Sequence, residues 1–516
     1  MLRQLPMNVR NEKTKIMKHR ITLLLAALIV APLFGLAQVN EDWENFKQQH
    51  NIENYRQQRE AAFSSFKDSL NREFAKMLEQ RWADFEVLAA RRTPSKPKPT
   101  EIPVAVKDTT PRQSNSLPYN EELPTPESKQ PIQDGTSENR HDRMDAVPHN
   151  PAAQTFAIDF YSQQLDFNVP NTYGGMRLDG FSERAIAKFW TDLADGGCEE
   201  YVGQCFIQRE QMALNDWATY DMVTRLAMEV FPKHYAEQTV FAVFLLNQLG
   251  LDAKIGRTNT QLLLLVPTET KMYGRPYIAC GDVPYYIFST YPREQQNLTS
   301  ISTYQVPFPA DIHPIDLNIY TPIRFASKPS NVVYQTSYWG NIVPFQVNQN
   351  AMEFYAHYPQ VDIAVYANAQ MSEELKDWVA RQMKPTLDEF SSYEAVSLLL
   401  NYLQTEFDYA TDAEQFGFEK PFFCEENFFY PKNDCEDRAI LLAYLVRNLV
   451  GNKMVLLDYP DHIATAICFP DEEITGDYYF VGGQKYYVCD PTFVGASIGE
   501  SMPNYKETKA DIIHLR

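Results

Sequence analysis

Three residues in the last quarter of the chain have the types and order that thiol chemistry needs. They are Cys435 in NDCEDRAILLAYLVRNLVG (433–451), His462 in YPDHIATAI (459–467) and Asp490 in YYVCDPTF (486–493). A cysteine nucleophile requires a base within hydrogen-bond reach and a third group that orients the base. Separations of 27 and 28 residues (435 to 462, 462 to 490) leave room for a helix, a turn and a strand between members. Asp434, Glu436 and Asp437 flank the thiol and disfavour its anion, whereas the amides and dipole of a helix N-terminus favour it. The second effect wins if the carboxylates face solvent. An oxyanion would be met by the Cys435 amide and a second donor nearby, with Asn433 and Tyr430 as candidates.

The elements around these residues follow from their patterns. An apolar run behind Cys435 predicts a helix, His462 opens a strand-like run, and Asp490 ends another before a proline. The same text occurs earlier in weaker form. FPKHYAEQTVFAVFLLNQLG (231–250) echoes 430–451, and YIACGDVPYYIFST (277–290) echoes 478–491. Pro232 matches Pro431 at an offset of 199, and Tyr285 matches Tyr486 at 201, so a duplicated helix-then-strands unit is the economical explanation. In the first copy Ala236 stands for Cys435, Gln261 falls near His462 and Ser289 replaces Asp490, which makes that copy degenerate. Residues 311–370 between the copies read as β-rich, and helices over 372–385 and 393–407 lead into the second.

The motifs NDCEDRA, YPDHIATAI and YYVCDPTF, in this order on helix, strand and strand, resemble the transglutaminase-like superfamily. DCED before an apolar helix is similar to the bacterial periplasmic transglutaminase-like cysteine proteinases. The resemblance covers about 390–500 well and 215–290 more weakly. It implies an α+β chain with a papain-like core, Cys435 as nucleophile, His462 as general base and acid, and Asp490 as the orienting carboxylate. It also implies acyl chemistry on an amide, ending in hydrolysis or transfer to an amine. In those proteinases acidic residues beside the cysteine take part in calcium binding, which makes Asp434, Glu436 and Asp437 weak calcium candidates here. Calcium wants at least about six oxygens from several segments, so a solvated helix terminus is the more economical reading of these three. No other cofactor is expected.

The rest of the chain sets the context. A net charge of −20 argues against nucleic acid as a partner. Basic residues, an apolar run and small residues over 1–37 read as a signal peptide cut after Ala37, giving a periplasmic or secreted protein with no membrane span after cleavage. Over 41–92, Phe63, Phe66, Leu70, Phe74, Leu78, Trp82 and Phe85 form one stripe of an amphipathic helical arm that wants a protein partner. Residues 93–153 read as a proline-rich disordered linker. A degenerate unit over 154–310 and the triad-bearing unit over 371–516 complete the expected organisation. Cys198 and Cys205 are near enough in sequence to pair, while Cys468 and Cys489 read as core. The function expected is a cysteine peptidase or amidase acting on a protein or peptide. Its alternatives are a cross-linking acyltransferase and a non-catalytic envelope scaffold.

Overall fold

The structure, a computed structural model, describes residues 69–92, 98–106, 112–120, 151–291, 298–340 and 343–516. The predicted signal peptide 1–37, arm residues 41–68 and linker residues 121–150 lie outside these. The chain mixes helices and strands in several sheets, an α+β arrangement. Residues 71–516 pack as one compact unit, so the spans expected as separate units at 154–310 and 371–516 share a body. No described helix is long and apolar enough to cross a membrane.

Two six-stranded sheets carry the architecture. In the first, the order is Ala83–Glu86, Ser300–Thr303, Lys254–Arg257, Leu262–Pro267, Val283–Phe288, Tyr277–Cys280. In the second it is Asp511–His514, Met454–Asp458, Ile463–Cys468, Gln484–Cys489, Asp477–Val481, Asn115–Ser116. Leu262–Pro267 and Ile463–Cys468 are buried throughout, as expected of continuous apolar runs covered on both faces. Their ladders have the same register. Leu264 pairs with Phe288 and Thr465 with Cys489, each residue 201 positions beyond its counterpart. The same 201-residue step takes the pair Tyr277 and Tyr286 to Tyr478 and Tyr487, and Lys254 and Leu265 to Val455 and Ala466.

A helix precedes each sheet: Tyr235–Gln248 and Cys435–Leu445. The first intrahelical bonds run from Gln238 N to His234 O and from Arg438 N to Asp434 O, a step of 200. A π-helical turn over Val446–Val450 then absorbs one extra residue. Beyond it the helix-ending glycines, both left-handed, are Gly250 and Gly451, a step of 201. By hydrogen-bond register the residue at the place of Cys435 is therefore Tyr235, not Ala236.

Several expectations differ from the structure. The arm helix stops by residue 78, Ala83–Glu86 then pairs as an edge strand with Ser300–Thr303, and Phe74, Leu78 and Trp82 enter the core. Part of the presumed linker is a strap along the second sheet. Ala105 N donates to Val494 O at 2.8 Å, Asn115–Ser116 pairs in parallel with Asp477–Tyr478, and Asn120 N donates to Ala510 O. Its polar composition satisfied the criterion for disorder, but backbone pairing to a sheet edge needs no apolar side chains. Residues 311–370 hold isolated bridges, such as Tyr334 with Phe345, and the helices Gln349–Ala356 and Ile363–Asn368 instead of several strands. Its aromatics are used for side-chain packing, with Tyr355 and Tyr358 against Phe423. The helices expected ahead of the second copy are present as Glu373–Leu387 and Ser392–Glu406.

Candidate active site

Cys435 is the first residue of its helix, with Asp434 as N-cap. Asp437, the third helical residue, reaches back to accept from Asp434 N at 3.2 Å, which fixes the entry of the chain. Every residue of the helix is buried: the run from Ala439 is apolar all round, and Glu436, Asp437 and Arg438 are buried with polar partners.

The strands explain how 28 residues of separation collapse to contact. Ile463–Cys468 and Gln484–Cys489 are antiparallel neighbours with Thr465 opposite Cys489, so the start of one lies beside the end of the other. His462 and Asp490 sit at those two ends. Nε2 of His462 meets Oδ2 of Asp490 at 2.8 Å, and Thr492 N donates to Oδ1 at 2.9 Å, so both carboxylate oxygens are held. His462 Nδ1 is buried without a hydrogen-bond partner. The imidazole stacks on Tyr505 with ring centres 5.2 Å apart, and Tyr505 stacks in turn on Tyr459. The Tyr505 hydroxyl is pushed up by burial and by Asp461, with further contributions from Cys435 and Asp490.

The structure thus joins His462 to Asp490 but gives the thiol a different partner: Cys435 Sγ donates to Glu436 Oε2 at 3.1 Å. Burial, then the Glu436 and Asp434 carboxylates, push this thiol well up, and only Lys98 among the leading influences acts the other way. With Cys435 1%, His462 0% and Asp490 3% exposed, the site is closed.

The flanking carboxylates overturn the expectation of a solvated helix terminus, because Asp434, Glu436 and Asp437 are all buried. They point into a cage completed by Asp412 and Glu419 from the preceding segment. The cation in the cage is Lys98, from the strap. Its Nζ contacts Glu436, lies 2.8 Å from Asp434, 2.9 Å from Glu419 and 3.7 Å from Asp412. Burial works against ionised Glu436, but Lys98 and its hydrogen bonds outweigh it and hold the carboxyl down at about 2. Burial and the neighbouring negative charges push Asp412 up to about 6 and Glu419 up to about 7. Asp437 spends its oxygens on Phe422 N and Asp434 N, while Asp434 Oδ1 has no partner. Oxygens from two segments do converge here, so the donor set suits a hard cation, but only one that takes the place of Lys98.

The oxyanion candidates are placed otherwise than the spacing suggests. Asn433 is a buried brace, donating to Asn427 Oδ1 and accepting from Arg438 Nε, both at 2.8 Å. Tyr430 stacks on Phe422 beneath the Lys420 ammonium. Sequence reasoning missed Gln404, whose amide donates to the carbonyls of Asp490, Phe493 and Ala496 and accepts from Gly495 N. It also missed the fully buried Arg438, whose Nη2 holds Phe407 O. A charged residue in an apolar helix was the available cue for Arg438; Gln404 offered none. None of the seven cysteines is in a disulfide. Cys198 precedes and Cys205 lies within the helix Glu199–Gln211, and seven helical steps separate them by roughly 10 Å, beyond disulfide reach. Cys468 and Cys489 are buried in the core.

No family model, curated protein or solved structure matches this chain.

Proposed function

We propose that this chain is a thiol-dependent peptidase or amidase with a papain-like core, in which Cys435 attacks an amide carbonyl of a protein or peptide. His462 takes the thiol proton and returns it to the leaving amine, and Asp490 keeps the imidazole oriented. The observation that carries this reading is the buried His462–Asp490 pair with Nδ1 left unpartnered, beside a helix whose first residue is a cysteine. A base oriented at one nitrogen and free at the other is the arrangement a nucleophile requires. The matching strand order and register of the two sheets support a duplicated unit whose first copy lost the chemistry, with Tyr235 at the cysteine's place. The basic and apolar start of the chain supports export. Water and an amine both remain open as acyl acceptors, so a cross-linking acyltransferase is the same proposal with a different second step.

A non-catalytic envelope scaffold is favoured by one observation: the thiol bonds to a carboxylate and is pushed up rather than down. Labelling of Cys435 by a peptidyl vinyl sulfone, resolved site by site by mass spectrometry, separates the readings. Catalysis predicts labelling that falls by about 10²-fold or more in His462→Ala. Equal labelling of both proteins would sink the catalytic reading and leave the scaffold.

A further inference from the structure

We propose that residues 98–106 are an intramolecular cover that holds the Cys435 site shut, with the Lys98 ammonium as its latch; this rests on the thiol reading above. One carboxylate connects latch to nucleophile. Glu436 takes Lys98 Nζ on Oε1 and the Cys435 thiol on Oε2. The next residue is fixed as well, because Tyr409 Oη donates to Pro99 O at 2.8 Å. Four residues past Asp490, Val494 N donates to Pro103 O and Val494 O accepts from Ala105 N. The segment therefore touches both the cysteine end and the aspartate end of the site.

What holds this cover is polar rather than apolar. Lys98 is only 4% exposed in its side chain, whereas Val104 and Val106 are 65% and 86% exposed. Ile102 and Pro103 are half-buried and Ala105 packs on the core of the second sheet, yet no apolar side chain of 98–106 is fully buried, and backbone bonds and one ion cluster are its main fixings. Such a segment opens ahead of the core, at the cost of its ion cluster. The buried, unpartnered Asp434 Oδ1 adds an acceptor in the cage that Lys98 does not satisfy. The closed thiol is thus a resting state, and the strap regulates access to it.

The test uses two maleimides, N-methylmaleimide and a bulky N-aryl maleimide, with modification of Cys435 resolved by mass spectrometry in the full chain. Both reagents consume the thiolate, so the ratio of their rates cancels any change in thiol acidity and reads access alone. Lys98→Gln is expected to raise the bulky-to-small ratio by at least about tenfold. Tyr409→Phe, which frees Pro99 while keeping the ammonium, raises it less. Cys205 and Cys424, buried elsewhere, must stay unlabelled; if Lys98→Gln exposes them, Tyr409→Phe carries the test. An unchanged ratio in the folded variants overturns the cover. Repeating the series with His462→Ala separates the two ideas. A rise in the ratio with absolute rates indifferent to His462 keeps the cover and removes the catalysis.

Discussion

At the scale of single residues, the acidic cage sets the most direct expectations. Asp412 at about 6 and Glu419 at about 7 are carboxyls held above their ordinary range near 4 by burial and like charge. A carboxyl whose folded pKa is raised contributes stability that is complete below its unfolded pKa and is lost as pH rises through the folded one. Their contribution should fall between about pH 4 and 7, on the order of 1–3 kcal/mol together. Urea midpoints across that range should drop less in an Asp412→Asn, Glu419→Gln variant than in the parent, and parallel curves would refute the point. Glu436, held down at about 2, acts with the opposite sign: its contribution is present above about pH 4.5 and lost on acidification through 2. Gln404→Ala removes the amide that holds three carbonyls behind Asp490, including that of Asp490 itself. Leaving buried acceptors unmet should cost about 2–3 kcal/mol in urea unfolding and lower Cys435 labelling with it. A variant of parental stability would show that water replaces the amide.

At the scale of elements, the strap carries the sharpest expectation. Removing one member of a buried ion cluster leaves the others uncompensated, so Lys98→Ala should destabilise the body by about 3–5 kcal/mol at pH 7. The loss should shrink at pH 5, where Asp412 and Glu419 carry less charge; a loss independent of pH would refute the electrostatic account. What the sequence revealed divides along the same line. The helix behind Cys435 and the strands after His462 and before Asp490 were legible, since apolar runs and turn residues report local conformation. The His462–Asp490 contact was expected from the resemblance alone; its cause is the antiparallel pairing that sets Thr465 opposite Cys489. The cage was not legible, because Lys98 lies 336 residues from Asp434 and nothing local marks it. Its prolines and lysines suggested disorder, and their order comes from partners elsewhere. The π-helical turn was hidden for a related reason: it shows only as a change of offset from 200 to 201 once both helices are counted by their bonds. Aligning by residue likeness alone put Ala236 where the register puts Tyr235.

At the scale of the molecule, the two sheets are not separable. The chain that supplies the edge strand Ala83–Glu86 to the first sheet goes on to supply Asn115–Ser116 to the second. A fragment of residues 371–516 would lack both Lys98 and that edge strand, and would carry its buried carboxylates without their cation. Expressed alone it should be insoluble or unfold without a cooperative transition, whereas residues 71–516 should unfold in one step. A soluble, cooperatively melting fragment would show the C-terminal unit to be autonomous. The strap also has an order in time. Synthesis runs from the N-terminus at about 5–20 residues per second, so Lys98 precedes its cage by roughly 15–70 s. The strap waits for the site; the site never waits for the strap. Each chain therefore carries residues 98–106 before it carries Cys435, so the proposed cover is made ahead of the site it would close.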